Sequence, residues 1–128
     1  MAKGHRSQIK KERNQNKDTR PYAKLSHARI SAQKAGFVLD AIRGKDVQTA
    51  LAILEYNPRY ASSVIKKLLN SAIANAENNN GMDPETLYID ECFANKATTM
   101  KRIRPRARGM AYRIEKRMCH ITIILNER

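Results

Sequence analysis

The sequence predicts an α+β protein, with helices in its first half, strands in its second and a basic hairpin reaching out from those strands. Three observations point that way. Apolar residues recur at helical spacing from about residue 31 to residue 80. Strand-forming residues dominate Leu87–Phe93 and His120–Leu125. Between those two stretches lies a strongly basic run interrupted by Pro105 and Gly109.

The first twenty residues read as a tail, a solubilising arm or, the favoured reading given charge mostly of one sign, an arm that orders along RNA. Gln, Asn, Lys and Arg dominate, and Ile9 is the sole large aliphatic residue after Met1, so burial cannot offset the entropy of ordering the segment. Tyr22 to Ile30 suits a short strand. Ser31 is then placed to cap a helix whose Ala35, Val38, Leu39 and Ile42 share one face, with Gly44 where a C-terminal cap belongs. Asp46 is placed to cap a second helix, with Val47, Ala50, Leu51 and Leu54 at the same spacing. Asn57-Pro58 opens a third, longer helix, with Pro58 suited to its first turn. Its core face is Ala61, Ile65, Leu68, Leu69, Ala72, Ile73 and Ala76, and Asn78-Asn79-Asn80-Gly81 ends it.

After Asp83-Pro84-Glu85 the texture changes. Leu87, Tyr88, Ile89, Cys92 and Phe93 form strand, with imperfect alternation that suggests a bulge. The chain reverses between Pro105 and Gly109 and returns to the β-branched run ending at Leu125. At about 3.3 Å per residue, an arm from Leu87 to Pro105 reaches on the order of 50 Å. A domain of this length has a radius of gyration of only about 14 Å. The hairpin therefore outruns the body.

Charge separates these parts. Of the 128 residues, 25 are Lys or Arg and 12 are Asp or Glu, a net +13 with a pI near 10.1. Residues 1–24 hold eight bases and two acids, residues 25–95 seven and eight, residues 96–117 nine and one, and the last eleven balance. A neutral body thus carries two cationic segments. Self-repulsion of that kind calls for an external polyanion, and nucleic acid fits ahead of an anionic membrane surface. A two-stranded hairpin is marginal in water, and unpaired guanidinium groups resist burial. Arg102, Arg104, Arg106 and Arg108 favour bidentate phosphate contacts and base stacking, with Met100, Ile103, Met110 and Tyr112 interleaved. RNA is the expected partner of the hairpin.

Several function classes find no support. The length suits a single domain, and no apolar run is long enough to span a bilayer. The basic Met1-Ala2-Lys3-Gly4-His5-Arg6 start lacks the apolar stretch of a secretory signal. Two cysteines are too few for a disulfide scaffold, and a reducing, cytoplasmic setting is expected. A glycine-rich phosphate loop and a Gly-x-Ser-x-Gly turn are both missing, and His5, His27 and His120 are dispersed. Cys92 and Cys119 might face each other across the strands and, with His120, suggest a metal trio. Ligand pairs at short spacing are lacking, so core thiols are the better reading. Asp90 and Glu91, adjacent on a strand, are expected to point to opposite faces. No enzyme, metal or cofactor is expected.

The stretches Ala28–Lys34, Ala41–Lys45, Leu69–Asn78, Met100–Gly109 and Cys119–Thr122 resemble the bacterial large-subunit ribosomal protein L-twenty-two family, in order and at family spacing over about residues 22–128. The resemblance implies three helices packed on a small antiparallel sheet, with a long protruding β-hairpin at about 94–119. It divides the chain into a basic N-terminal extension, 1–21, and one rRNA-binding domain, 22–128. The extension goes beyond the shorter versions of the family. The family implies a structural constituent of the large ribosomal subunit, in the cytoplasm, that bridges several rRNA domains during assembly. Its partners would be large-subunit rRNA, neighbouring large-subunit proteins and the nascent polypeptide of the exit tunnel.

Carried onto this chain, the resemblance implies rRNA contacts by Arg29, Lys34, Arg43 and Lys45 on the body. Along the hairpin it implies them for Lys96, Lys101, Arg102, Arg104, Arg106 and Arg108, and for Arg113, Lys116 and Arg117 on the returning arm. Arg102, Arg104, Pro105, Arg106, Ala107, Arg108 and Gly109 would form the tunnel-facing tip. Two other classes compete. A free regulatory RNA- or DNA-binding module would want a compact recognition surface rather than charged appendages. A membrane-active cationic protein would want an amphipathic helix, which Pro105 and Gly109 break.

Overall fold

The computed structural model describes residues 3–128, with side chains from Gln8 onward, so the start of the expected basic extension lies outside the described residues. The elements run α1 (Lys3–Gln15), β1 (Tyr22–Ala28), α2 (Ala32–Ile42), α3 (Val47–Tyr56), α4 (Tyr60–Asn80), β2 (Leu87–Lys96), β3 (Met100–Pro105), a 3₁₀ turn (Ala107–Gly109), β4 (Ala111–Lys116) and β5 (Cys119–Glu127). β5 is the centre of an antiparallel sheet in the order β1-β5-β2, and β3 pairs with β4 in a separate two-stranded ladder.

The α+β class is as expected, with one helix more than the sequence suggested. That helix is α1, in the segment read as a tail. Lys, Arg, Gln and Glu favour helix without needing a partner surface, and the described side chains of α1 are all exposed, including Ile9. Local propensity rather than an apolar face therefore sets the structure of this segment.

Helices α2 and α4 lie on one face of the sheet, α2 against β2 and α4 against β1 and β5, and α3 packs on α4. Strand alternation supplies the complementary surface. β5 buries Cys119, Ile121, Ile123 and Leu125 in turn, and β2 buries Leu87, Ile89 and Cys92. Against them sit Val38, Leu39 and Ile42 of α2 and Ile65, Leu69 and Ala72 of α4, each fully buried. Each large aliphatic side chain removed from water in this way contributes roughly 1.5–3 kcal/mol.

Local chemistry sets the boundaries. Ser31 Oγ accepts from the Lys34 N–H at 3.4 Å and starts α2. After α2, Gly44 takes a left-handed φ of 72°, which lets the chain turn onto β2. There Gly44 N–H donates to the Ile89 carbonyl, and Ile89 N–H donates to the Lys45 carbonyl, both at 3.0 Å. Gly81, with φ 65°, closes α4, where Gly81 N–H donates to Glu77 and Met82 N–H to Ala76. Ser62, expected on no face, is buried in the first turn of α4 with its Oγ unpartnered.

Four expectations need correction. Asp46 is the N-cap residue of α3 but makes no side-chain capping bond; its carboxylate pairs with Arg128 at 3.1 Å. Pro58 precedes α4 rather than entering it. Asn57 Oδ1 accepts from the Arg59 N–H, and helix begins at Tyr60. Cys92 and Cys119 do not face each other, because Cys92 lies opposite Ile123 and Cys119 opposite Lys96. Asp90 and Glu91 do converge, since the register shifts between Ile89 and Glu91. That bulge breaks the alternation that would have separated their carboxylates.

The domain is anchored upstream of β1. Arg20 donates to Asp18, Asp90 and Glu91. Asn75 and Asn80 of α4 donate to the carbonyls of Tyr22 and Thr19, and Pro21 is buried, its carbonyl accepting from Leu125. Residues 18–21 are therefore tied to the body.

Candidate nucleic-acid interface

The hairpin is continuous with the body sheet but separate from its core. Ala94, Asn95 and Lys96 still pair with β5. Ala97 N–H donates to the Met118 carbonyl, and beyond it the free ladder runs from Met100↔Lys116 to Pro105↔Ala111. Its six residue pairs extend on the order of 20 Å. At its end Arg106 N–H donates to the Met110 carbonyl at 2.8 Å, and both Arg108 and Gly109 adopt positive φ, 59° and 69°. The tip consists of Pro105, Arg106, Ala107, Arg108 and Gly109, and all five are exposed.

Pairing sorts the hairpin side chains onto two faces. Met100, Arg102 and Arg104 stand with Lys116, Ile114 and Tyr112; Lys101, Ile103 and Pro105 stand with Glu115, Arg113 and Ala111. The first face is the richer one, carrying apolar and aromatic surface between its cations. The Arg106 guanidinium lies 5.7 Å from the centre of the Tyr112 ring, so one tip arginine rests on an aromatic.

The base of that face opens onto a cleft of about 900 Å³ between the hairpin, the start of α2 and the start of α4. Arg29 and Lys34 line it from the body, and Arg102, Lys116 and Arg117 line it from the hairpin. The expected residues from the two halves of the sequence therefore meet in one place. Glu115 is the acid in the lining, 3.7 Å from Arg117. Arg43 and Lys45 are elsewhere, beyond the other end of α2. Arg43 is partly engaged by the protein itself: it pairs with Asp40 at 2.9 Å and donates to the Cys92 carbonyl at 3.0 Å. Lys45, Lys96, Lys101, Arg104 and Arg113 are exposed.

Sequence reasoning passed over Arg59 and Tyr60, which also line the cleft. Tyr60 is 71% exposed, and the Arg59 guanidinium lies 5.6 Å from the centre of the half-open Phe37 ring. The run Tyr56-Asn57-Pro58-Arg59-Tyr60 held the signal, since tyrosines beside a proline turn and off the helical stripe have no core to enter. Arg20 is the opposite case. Its partners Asp18, Asp90 and Glu91 raise its pKa further, and Arg20 in return holds the Asp18 carboxyl below its ordinary range. This cation of the expected basic extension is committed internally.

Burial pushes the Cys92 and Cys119 thiols up, with the nearby Arg43 charge partly opposing this at Cys92. The Cys92 Sγ lies 3.5 Å from the Leu39 carbonyl. His27 N–H donates to His120 Nδ1 at 3.0 Å, and the two rings meet edge to face at 4.6 Å where β1 bulges. Among the described residues no His, Cys, Asp and Glu side chains gather as a metal site, and no helix is long and apolar enough to cross a membrane.

The chain is 77% identical to the large ribosomal subunit protein uL22 of Lachnoclostridium phytofermentans and 74% identical to that of Lachnospira eligens, over the full length of each. It is 55% identical to the uL22 of Acetivibrio thermocellus, across 81% of this chain and 83% of that one. Residues 23–126 match the family described as ribosomal protein L22p/L17e. A neutral α+β body, a cationic hairpin running out of its sheet, and these matches together place the chain in the ribosomal protein L22p/L17e family.

Proposed function

We propose that the protein is a structural constituent of the large ribosomal subunit. It binds large-subunit rRNA through the hairpin and the basic cleft at its base, and it bridges several rRNA domains during assembly. Its tip, formed by Arg102, Arg104 and the turn from Pro105 to Gly109, lines the peptide exit tunnel beside the nascent chain, and neighbouring large-subunit proteins adjoin the body. It catalyses nothing; its contribution is geometry and charge.

One observation carries this reading: apart from half-buried Met100, every residue of β3 and β4 is exposed, in a segment where cations outnumber acids nine to one. Such a ladder has no core of its own. Phosphates on both sides neutralise it and release counterions. RNA packed around the ladder also covers Ile103, Met110 and Tyr112, which are at least half exposed in the free protein.

Sedimentation through sucrose tests the proposal. The full-length protein should travel with large subunits and stay bound through a moderate salt wash. A variant whose residues 99–117 are replaced by a short turn should wash off. Equal retention of both, or release of the full-length protein at low salt, overturns it.

A further inference from the structure

We infer, resting on the RNA reading above, that the cleft at the hairpin base takes a single unstacked nucleotide, with its base against Tyr60 and its neighbouring phosphates on the surrounding cations. The cleft is concave and mixed in character. Ile30, Ala61 and Met100 give it an apolar floor, and Tyr60 stands in its wall with 71% of its surface open. Around them are the six cations Arg29, Lys34, Arg59, Arg102, Lys116 and Arg117, against the one acid Glu115.

A paired RNA helix does not use such a lining. Its bases are stacked inside and it offers backbone and a shallow groove, for which cations on an open surface suffice. An extruded base does use it, because every base has a π-face to lay on an aromatic ring while the backbone follows the positive rim. Phe37 adds to the argument. By standing 5.6 Å from the Arg59 guanidinium it holds that planar cation at the cleft wall without neutralising it, as a carboxylate would. Cleft and tip therefore share one construction, an arginine laid on an aromatic ring at each, Arg59 on Phe37 at the base and Arg106 on Tyr112 at the end.

The test compares two RNA stem-loops of equal phosphate number bound by the full-length protein, one perfectly paired and one with a bulge of a few unpaired nucleotides. Tyr60→Ala should weaken the bulged RNA by about tenfold and change the paired one by less than about twofold. Tyr60→Phe should restore the wild-type preference. The slope of log affinity against log salt should be the same for Tyr60→Ala as for wild type, whereas Arg29→Gln and Lys34→Gln should each lower it by about 0.9. Thermal unfolding of Tyr60→Ala should match wild type, since this side chain lies outside the core. Equal loss on both RNAs, no loss on either, or tighter binding of an acidic peptide at the cleft than of the bulged RNA overturns the inference. Failure of the wild type to bind either RNA sinks the RNA reading itself, a result distinct from wild-type binding that ignores Tyr60.

Discussion

In the body ladder, β5 alternates buried and half-buried residues from Cys119 to Asn126, whereas in the hairpin ladder every residue of β4 from Ala111 to Lys116 is exposed. Both ladders are antiparallel, and the chain runs from one into the other through three residues on one side and two on the other, bridged by the Ala97 N–H to the Met118 carbonyl. Backbone pairing is common to the two; what lies behind the side chains is not. Helices cover one face of β1-β5-β2, so the body carries its stabilisation with it. The hairpin has only its own cross-strand pairs, each contributing roughly 0.2–1 kcal/mol. It has no buried core of its own.

Truncating the two ladders equally should break or sharpen this contrast most. Ile123→Ala, in the middle of β5, should destabilise the isolated protein by about 2–5 kcal/mol in urea unfolding. Ile103→Ala, on the 70% exposed Ile103 of β3, should change it by less than about 0.5 kcal/mol. A large effect of Ile103→Ala without RNA would mean that the hairpin packs against something in the free protein.

Replacing Arg104, Arg106 and Arg108 together with Gln reverses the asymmetry. RNA affinity should fall about a hundredfold at physiological salt and the salt slope should flatten by about 0.9 per lost contact, with the melting temperature unchanged. An unaltered slope would show that these side chains miss phosphate.

A smaller effect is expected at the end of α4. Gly81→Ala places a side chain at φ 65° and should cost the body about 1 kcal/mol, measured by thermal unfolding. Neither RNA affinity nor its salt dependence should move, because the strain stays in the body.

The smallest expected effect concerns pH. Arg20 depresses the Asp18 carboxyl in the folded state, through hydrogen bonds first and charge second. That contribution is therefore complete above the ordinary Asp18 value of 3.8 and is lost as pH falls through the lower folded value. Arg20→Gln should slightly lower the melting temperature at neutral pH, and the difference from wild type should shrink toward pH 3. A difference that grows on acidification would assign the stabilisation to another group.

Much of the fold was legible because it rests on short-range rules. The stripe Ala35, Val38, Leu39, Ile42 and the alternation of β5 each repeat over a few residues, and Ser31, Gly44 and Gly81 mark their ends. Where the local rule was ambiguous, the expectation slipped by a residue or a partner. Pro58 suits the turn before a helix as well as its first turn, and Asp46 had a capping position but also a distant arginine, Arg128. Charge segmentation was fully present in the chain, and with it the expectation that residues 96–117 seek a polyanion.

By itself, then, the sequence determined element type from β1 onward, the neutral body, the two basic segments and the turn at Pro105 to Gly109. These properties depend on residues that are neighbours in the chain. Only the tertiary structure decided that Asp90 and Glu91 share Arg20, that Cys92 and Cys119 miss each other, and that Arg29, Lys34 and Tyr60 meet Arg102 and Lys116 across one cleft. A one-residue bulge or a strand register changes which distant side chains face each other while leaving every local preference satisfied. No pattern confined to a short window of sequence records that choice.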